Sequence, residues 1–89
     1  MRIEQKLSFK KAYKKLKPNQ KKDADAALRV IFANPDVGEQ KRGDLSWLYV
    51  YKFKMVGQLT LIGYAVDDDK IILTLIASGA HENSYRDLK

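Results

Sequence analysis

The sequence predicts an α+β fold: two N-terminal helices packed on one face of a small antiparallel sheet, with a short C-terminal helix or tail. Two observations carry this prediction. Up to Asn34 the apolar residues recur three and four apart, the period of a helix face. From Leu45 onward they alternate, in runs rich in aromatic and branched side chains. Helical segments followed by hairpins give a two-layer sandwich in which the helical stripes cover one sheet face.

The elements follow in order. The opening "RIEQK" offers a possible edge strand. In "SFKKAYKKL", Phe9, Ala12, Tyr13 and Leu16 fall on one helical stripe, with Lys10, Lys11, Lys14 and Lys15 opposite and Ser8 as the expected N-cap. Pro18 and Asn19 break and restart the chain, and Ala24, Ala27, Leu28 and Ile31 repeat the spacing up to "NPDVG". "LSWLYVYKFKM" then alternates, with Leu45, Trp47, Tyr49, Tyr51, Phe53 and Met55 on one wholly apolar face. Val56 and Gly57 turn the chain, "QLTLIGYAV" returns, "DDDK" turns it again and "IILTLIAS" is the last strand. Gly63, inside the second run, predicts a bulge or a close approach by another backbone.

The chain of 89 residues is read as a single domain, 1–89, with room for one compact site. It has no cysteine, so no disulfide or thiolate ligation contributes, and its one histidine argues against a zinc site; no metal and no cofactor are expected. The N-terminus lacks the apolar core of a signal peptide and no apolar run is long enough to span a bilayer, which predicts a soluble, cytoplasmic protein. The net charge of +6 concentrates between Lys6 and Lys22, a stretch without a single acid. Such a segment either attracts a polyanion, nucleic acid or an acidic protein, or is a solvated helix face.

The second face of the sheet is expected to present Lys52, Lys54, Gln58, Thr60, Thr74 and Ser78. Lys41 and Arg42 would stand at its mouth, and His81, Tyr85 and Arg86 in the tail "SGAHENSYRDLK". Lysines as point charges hold phosphate, a histidine moves protons near neutral pH, and a tyrosine stacks on a base. That set suits metal-free RNA cleavage through the 2′-hydroxyl. The same residues also read as a surface histidine, a lysine-guarded strand end and a polar stop, and Trp47, Tyr49 and Phe53 read as core rather than as a stacking platform.

"KRGDLSWLYVYKF", the Asp67 to Asp69 turn, and Gly79-Ala80-His81 followed by Tyr85, in this order, resemble the RelE/ParE superfamily of bacterial type II toxins over nearly the whole chain. The resemblance implies a toxin neutralised by a cognate antitoxin protein. Its activity is then either ribosome-dependent mRNA cleavage, as in RelE-like and YafQ-like members, or inhibition of DNA gyrase without cleavage, as in ParE-like members. For the first, the ribosome and mRNA are the implied partners. His81 matches the terminal histidine of the YafQ-like pattern and Tyr85 its aromatic. Lys52 and Lys54 lie near the basic residues of the first long strand. The sequence departs from the pattern at Thr60, where RelE-like members carry an arginine, and in lacking the second YafQ-like histidine.

Overall fold

The computed structural model describes residues 2–78. The chain runs β1 (Arg2–Gln5), α1 (Leu7–Lys14), α2 (Pro18–Ala33), β2 (Glu39–Gln40), β3 (Tyr49–Met55), β4 (Gln58–Asp67) and β5 (Lys70–Ser78), with 3₁₀ turns at Pro35–Val37 and Gly43–Leu45. The strands form one sheet in the order β1-β5-β4-β3-β2. β1 runs parallel to β5 and every other pair is antiparallel. The expected α+β architecture is therefore present, with a mixed sheet rather than a purely antiparallel one. The hairpins force antiparallel neighbours, whereas β1 reaches β5 across the whole chain and is free to run alongside it.

A helix of eight residues has little stability of its own in water. α1 is held by Phe9, 1% exposed, and by its entry from β1, whose ladder continues through the Lys6 N–H to the Leu73 carbonyl at 2.8 Å. That bond sets the helix start. Lys6 becomes the N-cap residue, without a side-chain cap, and Ser8, expected to cap, instead donates its hydroxyl to the Thr74 carbonyl. α2 opens with Pro18 at its first position, and the Gln20 side chain accepts from the Lys17 N–H at 2.8 Å, as a capping residue should. The Tyr13 hydroxyl donates to Asp25 Oδ1 at 2.7 Å and ties the two helices together.

The β3–β4 turn has two residues, Val56 and Gly57, with φ of 51° and 81°. Both lie in the left-handed region, the geometry of a type I′ hairpin. Asp23 accepts the Val56 N–H at 2.8 Å and so anchors the tip to α2. A two-residue turn makes Met55 and Gln58 partners, and every later pair follows: Lys54 faces Leu59, Phe53 faces Thr60, Lys52 faces Leu61.

This register sorts the side chains. Towards the helices lie Ile62, Tyr64, Ile71 and Leu73, packed with Phe9, Ala27 and Ile31 and flanked by Tyr49, Tyr51 and Phe53. On the other side a smaller cluster forms from Leu45, Leu48, Val50 and Leu61. Leu45 and Trp47 thus depart from the expected single apolar face. Gly43, at φ 67°, turns the chain into a 3₁₀ helix, and the strand begins only at Tyr49, so strand parity does not reach back to them. Trp47, expected in the core, is 41% exposed. The register of β4 and β5 slips between Gly63 and Tyr64, as a bulge predicts. The neighbour crowding Gly63 is the side chain of Leu75 rather than a backbone.

Candidate functional site

β3 builds the basic part of the open face. Lys52 and Lys54 are two apart, so both side chains project from the side away from the helices, and both are exposed. Beside them on β4 stand Leu59, exposed, and Leu61, buried. β5 ends at Ser78, which pairs with Thr60, itself paired with Phe53 between the two lysines. Ser78 therefore stands two strands from Lys52 and Lys54, about 10 Å away at ordinary strand spacing. His81 follows three residues later. His81, Tyr85 and Arg86 lie outside the described residues.

The polar side chains expected beside the lysines are placed differently. Gln58 and Thr60 share the helix-facing side with Met55 and Phe53, because the two-residue turn puts their partners there. Thr60 is 2% exposed, and its hydroxyl donates to the Gln58 carbonyl at 3.1 Å. Thr74 is also buried; its hydroxyl donates to the Ile72 carbonyl at 3.3 Å. It lies under the start of α1, where Leu7, Trp47, Ala65 and Ile72 wall an apolar cup of about 470 Å³ on the open face.

Lys41 and Arg42 stand at the far end of β3. The Lys41 N–H donates to the Leu48 carbonyl at 2.9 Å, and its ammonium pairs with Glu39 at 3.4 Å. Arg42 is exposed at the entry to the 3₁₀ turn. Four residues of strand separate Leu48 from Lys52, about 13 Å. The four basic side chains thus form two groups on one long surface rather than one cluster. The lysines of α1 belong to the helix layer, on the opposite side of the sheet.

Two buried or bridged tyrosines escape a sequence reading, since nothing local marks them. The Tyr64 hydroxyl donates to the Pro35 carbonyl at 2.6 Å and accepts the Gly38 N–H at 2.9 Å, holding the loop between α2 and β2. Burial raises its pKa above the ordinary value, against the opposing effect of the Gly38 bond. For Tyr13 the hydrogen bond to Asp25 is the main cause of a raised pKa, with desolvation and the carboxylate's charge adding to it. Among the described residues no helix is long and apolar enough to cross a membrane.

With this arrangement in hand, a family model described as ParE-like toxin of type II bacterial toxin-antitoxin system matches residues 3–89. The chain belongs to this family of RelE/ParE-like toxins. The toxin's sheet and helices are also those of solved RelE structures. The isolated E. coli RelE toxin matches with TM-score 0.68 at 13% identity, covering 99% of this chain and 98% of that one. A YoeB/ParE toxin from Agrobacterium tumefaciens matches with TM-score 0.70 at 14% identity, covering 88% and 98%. The intact E. coli RelBE toxin-antitoxin complex matches with TM-score 0.69 at 15% identity, covering 85% and 93%. At such identities the likeness is one of fold. No curated protein matches the toxin by sequence.

Proposed function

We propose that this toxin is a metal-independent, ribosome-dependent mRNA endonuclease that inhibits translation in the cytoplasm and is neutralised by a cognate antitoxin. One observation carries the reading: Lys52 and Lys54 share an exposed sheet face, and Ser78 of β5, three residues before His81 in the sequence, pairs with the strand that lies next to them. In the proposed reaction the 2′-hydroxyl loses its proton and its oxygen attacks the neighbouring phosphorus. The bond to the 5′-oxygen breaks, and that oxygen leaves protonated. His81 serves as general acid or base, while Lys52 and Lys54 stabilise the charge that builds on the phosphate. Tyr85 and Arg86 position the RNA, and Lys41 and Arg42 extend the basic surface along its backbone. The ribosome presents the mRNA, which supplies orientation that a small site lacks. The antitoxin as partner is supported by the E. coli RelE structure solved as a complex with its antitoxin.

The test is brief expression in cells followed by mapping of transcript 5′ ends, comparing wild type with His81→Ala. Cuts within translated codons that fall by about 10² to 10⁴ in the variant are the expected result. Unchanged cuts in a folded variant would remove His81 from the chemistry. A second reading, inhibition of DNA gyrase without cleavage, draws on the ParE-like family model itself. It requires intact transcripts together with stalled gyrase complexes and a DNA-damage response.

A further inference from the structure

The cup on the open face has a floor and two walls of different kinds. Ala65 and Ile72, paired across β4 and β5, form the floor. Leu7 and Trp47 rise from outside the strands as its walls, 65% and 41% exposed. An indole and a leucine left open to water around about 470 Å³ of apolar space give the size and character of a small-ligand site.

The polar groups on the lining select what enters. The Ser8 hydroxyl donates to the Thr74 carbonyl, and the Thr74 hydroxyl donates to the Ile72 carbonyl at 3.3 Å. Each hydroxyl has used its only proton, so what it still offers is lone pairs. An aliphatic side chain pressed into the cup would leave those acceptors dry and unpaired, at a cost. A flat ring that carries N–H donors satisfies them and stacks on the indole. Asp67, exposed two residues beyond Ala65 on the same face, also accepts from an amine and repels a phosphate. Lys6, on the lining, supplies a cation for the phosphate that accompanies the ring.

The cup also lies on the face that carries Lys52 and Lys54. Leu61, the partner of Lys52, is four residues along β4 from Ala65, about 13 Å. A single strand whose phosphates rest on the lysines therefore has a nearby base within reach of Trp47.

We propose that the cup is a nucleobase subsite: one base of the bound RNA, bearing an exocyclic amine, stacks on Trp47 and donates to the acceptors of Ser8 and Thr74. Trp47 is then a binding and specificity residue, apart from the chemistry at the phosphate. This rests on the reading that the toxin binds RNA.

The test titrates the full-length toxin at low salt with single-stranded oligo(A) and oligo(U) of equal length, which carry equal charge but differ in the exocyclic amine. Trp47 is the sole tryptophan, so its fluorescence reports the cup directly. Oligo(A) is expected to quench it and to bind more tightly than oligo(U). Trp47→Ala, followed by anisotropy of labelled RNA, should weaken oligo(A) binding about 5- to 150-fold and erase the preference. The slope of log K against log salt should stay as in wild type, because no phosphate contact is lost. Ala65→Leu fills the cup from its floor and should weaken oligo(A) in the same way while the fluorophore remains. RNA binding that leaves Trp47 fluorescence unchanged and is indifferent to both variants overturns the proposal and leaves the RNA reading intact. Fluorescence that responds to toxin concentration or to added antitoxin, but not to RNA, assigns the cup to a second copy or to that partner and overturns it too. Trp47 shielded from acrylamide in the free toxin and indifferent to RNA overturns it in favour of residues 79–89 as occupant. Failure of wild type to bind either oligonucleotide also overturns it, and the transcript map then judges the RNA reading separately.

Discussion

Tyr64 and Gly38 are fitted to each other: the Gly38 N–H donates to the Tyr64 hydroxyl at 2.9 Å, and a methyl group at Gly38 would collide with that oxygen. The hydroxyl in turn donates to Pro35, so one buried phenol holds both ends of the Pro35–Val37 turn. Tyr64→Phe leaves a carbonyl and an N–H without this partner, and a loss of about 1–3 kcal/mol in urea unfolding is expected. Gly38→Ala should be destabilising as well, because the ring is packed on Tyr49 and has little room to retreat.

The same residue gives a pH dependence. Its pKa is raised above the ordinary 10.0, mainly by burial, so the folded state holds the proton more tightly than the unfolded chain. Stability from this group is fully present below the unfolded pKa and is lost as pH rises through the folded one. Unfolding free energies of wild type measured from pH 8 to 11 should therefore fall more steeply above about pH 10 than those of Tyr64→Phe. Parallel slopes would refute the assignment.

Val56 occupies a left-handed position, φ 51°, that a β-branched residue tolerates poorly. Val56→Asn keeps the N–H that Asp23 accepts and creates the Asn-Gly pair preferred in this turn. A gain of about 1 kcal/mol is expected, read as a higher urea midpoint with unchanged slope.

Gly63 packs against Leu75, whose Cγ is 2.9 Å from where a Cβ would stand, and against a Leu48 methyl at 3.3 Å. Gly63→Ala should destabilise by about 1–3 kcal/mol. Leu75→Ala removes the obstructing atoms, so the double variant should be more stable than the sum of the two single effects implies. Simple additivity in thermal unfolding would argue against the contact.

Lys52 and Lys54 are exposed on one sheet face, and replacing each by alanine tests its part in binding RNA. If each neutralises one phosphate of single-stranded RNA, the salt dependence of binding, log K against log salt, should lose about 0.7 in slope per lysine. Unchanged slope and unchanged transcript cleavage would place the RNA elsewhere.

The periodic parts of the molecule were legible in the sequence alone. The stripes through Phe9 and Ile31, both hairpin turns and the edge strand at Arg2–Gln5 stand where spacing and turn chemistry put them. Local physics decides such features, because a helix period, a strand period or a Val-Gly turn acts within a few residues. The tertiary structure alone decided which faces meet. Thr60 turned to the helices because Phe53 is its partner, Trp47 left the core because Gly43 ended strand parity, and Ser8 gave up its cap because β1 runs on into Lys6. The clamp of Tyr64 on Pro35 and Gly38, and the cup walled by Leu7 and Trp47, join residues far apart in the chain. No local pattern encodes such pairs; they exist only once the register of the sheet has been set.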